Sequence, residues 1–123
     1  MVVAVSFGLT LFVLQRFSGP VDDCTSGEPV VLKPPFASGG GKAFVARTEV
    51  AGDSNDLPWR SSLVMCEDQK KLGPSHSPHE DIRSRGGGRY SHWGSDVVFS
   101  ASDNSDPNTN RRQYSYVPIG HQR

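Results

Sequence analysis

This chain is short of most things that advertise a chemistry. It has only two cysteines, Cys24 and Cys66, and no Cys-x-x-Cys pair. That excludes a zinc site built on sulfur. It has no excess charge, because 13 Lys and Arg balance 13 Asp and Glu. A neutral chain gives no electrostatic basis for binding nucleic acid or an anionic membrane surface. Enzyme signatures are also missing. There is no G-x-S-x-G nucleophile elbow. Gly86-Gly87-Gly88 lacks the Lys-Ser/Thr that completes a phosphate-binding loop. The polar run from Asp106 fails the EF-hand template, with Arg111 in place of Gly and Val117 in place of the bidentate Glu. No catalytic residue and no cofactor are expected.

Long hydrophobic runs are scarce as well. Val2 to Leu14 is uncharged, but it is shorter than the roughly 20 residues that span a bilayer as a helix. Val5, Phe7, Leu9 and Leu11 alternate with Ser6, Gly8 and Thr10, the period of a half-buried strand. The same run fits an export signal or short anchor, although no Lys or Arg precedes it. A misplaced start codon is the third reading. The compartment follows that choice: cytoplasmic, or exported or membrane-anchored if residues 2–14 act as a signal. So does the state of the cysteines. In an exported chain they would pair, closing a loop worth about 4 kcal/mol. As two small apolar side chains they would stay unpaired, which is the reading favoured here.

What the chain does have is turn chemistry. It carries 13 Gly and 9 Pro, and its hydrophobic content is 35%. That composition describes one loop-rich module with a modest core. Residues 1–41 read as a hydrophobic segment followed by a Gly/Pro-rich arm, residues 42–118 as the module, and 119–123 as a tail. Only Val30-Val31-Leu32 looks able to pair within the arm. Strands are expected over 43–50, with Phe44 and Ala46 on one face, and over 59–66, with Leu63 and Met65 on one face. Further strands are expected over 96–102 and, at an edge, over 114–117. Glu67-Asp68-Gln69-Lys70 reads as a hairpin connection. Ser77-Pro78-His79-Glu80 has the form of a capping box with proline at the first helical position. It predicts one short helix over about 78–85, packed through Ile82, with an Asp81–Arg85 ion pair and a stop at Gly86–Gly88. The fold class is mainly β: a small antiparallel sandwich or open barrel with one short helix.

Three blocks carry a resemblance. They are Leu72-Gly73-Pro74-Ser75-His76-Ser77-Pro78-His79-Glu80-Asp81-Ile82, then Gly86-Gly87-Gly88-Arg89-Tyr90-Ser91-His92-Trp93, then Phe99-Ser100-Ala101-Ser102-Asp103-Asn104-Ser105-Asp106-Pro107 through Arg112. The pattern resembles LGPxHxxHxDI…GGGRxSHW…FSxSDxSDPxTNGRxY, a small module of bacterial proteins in surface-polysaccharide pathways. It covers about Phe44 to Tyr114. This chain departs from it by reading Asn110-Arg111-Arg112, without the glycine. The resemblance implies a glycan context and a glycosyltransferase or methyltransferase partner domain, not a particular reaction.

Sugars are held by aromatic rings against their apolar faces and by polar side chains against their hydroxyls. Trp93 and Tyr90 are candidate platforms; Arg89, His92, Asp103 and Asn104 are candidate hydrogen-bonding groups. Trp59 and Arg60 form a second candidate pair. Burial of these aromatics as core anchors is the competing reading. The polar run Asp103–Asn110 reads most simply as a series of Asx-turns. The expected function is a non-catalytic accessory or carbohydrate-recognition module with a glycan ligand. The alternatives are a small metal-binding or hydrolase-like domain using His76, His79 and His92, or a fragment of a larger glycan-modifying enzyme.

Overall fold

The structure, a computed structural model, describes residues 23–56, 58, 60–118 and 121–122. The readings made for residues 2–14 and for Trp59 lie outside the described residues. One helical turn, α1 (Asp23–Ser26), comes first. Then follow β1 (Val30–Val31), β2 (Ala37–Gly40), β3 (Ala43–Arg47), β4 (Arg60–Ser61), β5 (Val64–Glu67) and β6 (Lys70–Lys71). The helix α2 (His79–Ser84) precedes β7 (Tyr90–Trp93), β8 (Asp96–Phe99), β9 (Tyr114–Val117) and β10 (His121–Gln122). The strands make two antiparallel four-stranded sheets, in the orders β1-β9-β5-β6 and β2-β3-β8-β7, with a separate β4-β10 ribbon. The architecture is an open sandwich, not a closed barrel.

Period-two alternation explains the core. Phe44 pairs with Phe99 and Ala46 with Val97 across β3 and β8, and Tyr90 pairs with Phe99 across β7 and β8. These inward residues meet Met65, Tyr114 and Tyr116 from the first sheet, with Leu32, Phe36 and Leu63. Phe36, Phe99 and Tyr114 make edge or tilted ring contacts with centroids 5.2–6.0 Å apart. Each fully buried side chain of this size contributes roughly 1.5–3 kcal/mol. All four residues of β5 are buried. Its outward residues Val64 and Cys66 pack with Cys24 and Val117 in a second cluster.

Several expectations need correction here. Cys24 and Cys66 are joined in a disulfide, because α1 lies on the outer face of β5, where the two side chains meet. The body does not begin at Lys42. Val30 pairs with Tyr116, Ala37 pairs with Val45, and Leu32 and Phe36 are core residues. The turn residues of this segment bend it around the sheets without detaching it. The strand at 114–117 lies between β1 and β5, not at an edge. The strand expected over 59–66 is broken at residues 62–63.

The 67–70 hairpin is present. Glu67 faces Lys70, and Asp68 and Gln69 both have positive φ, as a two-residue primed turn requires. The helix is also present, with Ile82 fully buried against the second sheet and Gly86 at φ +60° beyond its end. Its cap differs. Pro78 is the N-cap and makes no side-chain capping bond. The Ser77 hydroxyl turns back to donate to Pro74 O at 2.8 Å. The helical ion pair is Arg83–Glu80 at 3.2 Å, instead of the expected Asp81–Arg85.

Candidate functional site

Polar side chains gather in two places. The first is closed. Glu67, on the inner face of β5, accepts from the Ser102 hydroxyl at 2.6 Å, the Ser102 N–H at 3.1 Å and the Tyr114 hydroxyl at 2.7 Å. Arg112 lies 3.6 Å from the same carboxylate. Burial alone pushes the Glu67 carboxyl up, but these hydrogen bonds and the Arg112 charge outweigh it and hold it below its ordinary value. Arg112 also grips Asp103 through two hydrogen bonds, at 2.9 and 2.8 Å. Those hydrogen bonds, with the two from Ser105, hold the Asp103 carboxyl well below the usual range. Burial, with the neighbouring Glu67 charge, raises the Tyr114 phenol. The expected Asx-turns are here. Asp103, Asp106 and Asn110 accept the backbone N–H of Ser105, Asn108 and Arg112, respectively.

The second place is a cleft of about 430 Å³ where the end of β7 meets the approach to α2. Asp53, Arg60, His76, His79, Ser91 and Trp93 border it. Alternation along β7 turns Tyr90 and His92 inward and leaves Ser91 and Trp93 on the outer face. Asp53 comes from the connection after β3. Its N–H donates to His92 O at 2.8 Å, and Gly94 N–H donates to Asp53 O at 2.9 Å. Gly52 permits this approach: a Cβ there would sit 2.6 Å from His92 O.

The Asp53 side chain is held on both oxygens. Oδ1 accepts the Ser61 N–H at 2.5 Å, and Oδ2 accepts from His76 Nδ1 at 2.9 Å. A carboxylate only accepts, so Nδ1 carries the proton and Nε2 is the ring nitrogen left for another partner. The loop presenting His76 is pinned at both ends. Tyr90 N–H donates to Pro74 O at 3.2 Å and Ser77 N–H to Tyr90 O at 3.1 Å. His76 itself sits at φ +55°, an uncommon conformation for a residue with a side chain. The ring therefore has a fixed orientation before any ligand arrives.

Of the six residues expected to form one surface, only Trp93 borders the cleft. It is 43% exposed. Tyr90 is 4% exposed, and its hydroxyl donates to Leu63 O at 3.1 Å, so it is a core anchor. His92 is buried beneath the cleft, with Ser61 Oγ 2.6 Å from Nδ1 and Val50 O 3.1 Å from Nε2. A carbonyl only accepts, so Nε2 carries the proton and the Ser61 hydroxyl donates to Nδ1. Arg89 and Asn104 serve the glycine turn instead. Arg89 donates to Gly86 O at 3.0 Å, and Asn104 Oδ1 accepts the Gly87 N–H at 2.7 Å. Gly86, Gly87 and Gly88 all have positive φ, which accounts for the triplet without a ligand. Asp103 belongs to the closed network.

The three histidines do not make a metal site. His76 Nδ1 is held by Asp53, and His92 is buried among hydroxyls and a carbonyl. No group of three or more His, Cys, Asp or Glu among the described residues could hold a metal ion. Sequence reasoning missed Asp53, which sits in a turn region (52–58) and gains its role only through pairing with Ser61 and His76. It also missed Ser91 and His79 as neighbours of Trp93. Arg60 was singled out only as the partner of Trp59. Comparison of the chain with family models, with curated proteins and with solved structures gives no match.

Proposed function

We propose that this chain is a carbohydrate-recognition module and that its ligand site is the cleft beside Trp93. The observation that carries the reading is Trp93 itself. Phe36, Phe99, Tyr90, Tyr114 and Tyr116 are all buried, while Trp93 is 43% exposed at the rim of a cleft that Asp53, Arg60, His76 and Ser91 also border. An exposed indole beside fixed hydrogen-bonding groups suits a sugar, which has an apolar face and a polar rim. His76 supplies an oriented ring nitrogen, and Arg60 and Ser91 supply donors. The three motif blocks support a place in bacterial surface-glycan metabolism, beside a glycosyltransferase or methyltransferase domain.

A hydrolase-like reading has one observation in its favour. The Asp53–His76 hydrogen bond is also how a general base is oriented. One experiment separates the two. The protein is titrated with an array of oligosaccharides, and each bound glycan is recovered for chromatography. Recognition predicts unaltered glycan, and binding that Trp93→Ala abolishes while the melting temperature stays within about 2 °C, since exposed-site substitutions change stability by about 0.5 kcal/mol or less. Cleaved or deacylated glycan would replace recognition with hydrolysis. A collapse of the melting transition in Trp93→Ala would return the indole to a structural role.

A further inference from the structure

Four ionisable side chains border the cleft: Asp53, Arg60, His76 and His79. The single acid among them is already engaged, with Ser61 N–H on one oxygen and His76 Nδ1 on the other. Arg60 is exposed. It is absent from every ion pair among the described residues, which join His76 to Asp53, Arg83 to Glu80, and Arg112 to Glu67 and Asp103. A guanidinium stays charged at any pH a protein tolerates. The cleft therefore presents a guanidinium that makes no ion pair among the described residues on the same rim as Trp93.

From this juxtaposition we infer that the ligand is an acidic sugar bearing a carboxylate, a uronic acid. The inference rests on the recognition reading above. In this arrangement the apolar face of the sugar ring lies on Trp93. A sugar hydroxyl hydrogen-bonds to His76 Nε2. The carboxylate takes the fork of Arg60, whose planar geometry matches a carboxylate through two parallel hydrogen bonds. A sulfate ester would offer the same charge without that planar match, so the test separates the two anions.

The experiment uses the full chain and a panel of galacturonate, glucuronate and mannuronate oligosaccharides. Each is measured beside its carboxyl-reduced neutral form and beside a sulfated neutral oligosaccharide. The expected result is that at least one uronate binds about tenfold or more tighter than its reduced form, as charge-assisted hydrogen bonds imply. Arg60→Gln should erase that difference and leave the weaker binding of the reduced form in place. Added salt should weaken the uronate only. Equal affinity for acidic and reduced forms overturns the inference and leaves the recognition reading standing. Equal or tighter binding of the sulfated sugar overturns the carboxylate assignment. If no member binds and Trp93→Ala changes nothing, both the inference and the recognition reading fall.

Discussion

Asp53 and Glu67 are both largely buried carboxylates, and their surroundings differ in one respect. Around Glu67 every partner is itself held. Tyr114 also accepts from Asn110, Arg112 also binds Asp103, and Ser102 gives both its hydroxyl and its N–H. The network closes on itself, and β5 behind it is tied to α1 through Cys24–Cys66. Around Asp53 the chain of partners ends at His76, whose ring is 26% exposed and borders a cleft. One carboxylate organises a fold, and the other orients a side chain toward solvent. Buried polar groups that satisfy each other rigidify; a network with an open end has capacity left for a ligand.

That contrast is broken most directly at the disulfide. Opening Cys24–Cys66 frees a loop of sequence separation 42, which in the chain-entropy model costs about 4 kcal/mol. Reduction under native conditions should lower the melting temperature steeply. An unchanged melt after thiol titration finds two free sulfhydryls would show that the pair does not tie α1 to β5. Next in size is Glu67→Ala. It leaves the Tyr114 hydroxyl and the Ser102 donors without their acceptor, and Arg112 with Asp103 alone, at a cost of about 3 kcal/mol. Glycan binding at the cleft should persist in whatever fraction stays folded. The pH dependence has a definite sign. Glu67 and Asp103 both have folded values below their ordinary 4.5 and 3.8. Their contribution is complete above those values and is lost as pH falls through the lower folded ones. Stability should therefore decline below about pH 4.5, and Glu67→Ala should flatten that decline. A parallel decline in wild type and variant would mean that Glu67 does not drive acid unfolding.

The comparison also explains what was legible in the sequence. Local signals survived wherever the physics is local. The 67–70 turn, the helix near 79–84 with Ile82 inward, and the Asx-turns at Asp103 and Asp106 all depend on neighbours within a few residues. Alternation over 43–50 put Phe44 and Ala46 on one face, and in the fold that face pairs with Phe99 and Val97 and packs on the core. What failed depends on distant partners. Ser77 looks like a cap until Pro74 O offers its hydroxyl another acceptor. Tyr90, Arg89, Asp103 and Asn104 looked like one surface because they are close in sequence. Strand alternation, the glycine turn and Arg112 then send them to three different places. Asp53 and Trp93, 40 positions apart, adjoin only because Gly52 lets one strand end approach another.

The smallest expected effect sharpens the comparison from inside the closed network. Arg111 has φ +64°, in the loop that carries Asn110 and Arg112, and it is the position where the resembling pattern has glycine. A side chain in this left-handed region costs roughly 1–2 kcal/mol. Replacing it by glycine relieves that cost but loosens the unfolded chain, which returns roughly 0.5–1 kcal/mol. Arg111 is exposed, and the bonds that hold the loop come from Asn110 and Arg112 instead. Arg111→Gly should therefore stabilise by about 0.5 kcal/mol, raising the melting temperature by about 2 °C. Asn104, at φ +65°, is the control. Its side chain accepts the Gly87 N–H, and Asn tolerates this region better than Arg, so Asn104→Gly relieves less strain while losing a hydrogen bond and should not stabilise. If Arg111→Gly lowers the melting temperature, the loop relies on the arginine side chain and the closed network extends one residue further than its hydrogen bonds show. If it raises it and leaves cleft binding unchanged, the two regions are energetically separate.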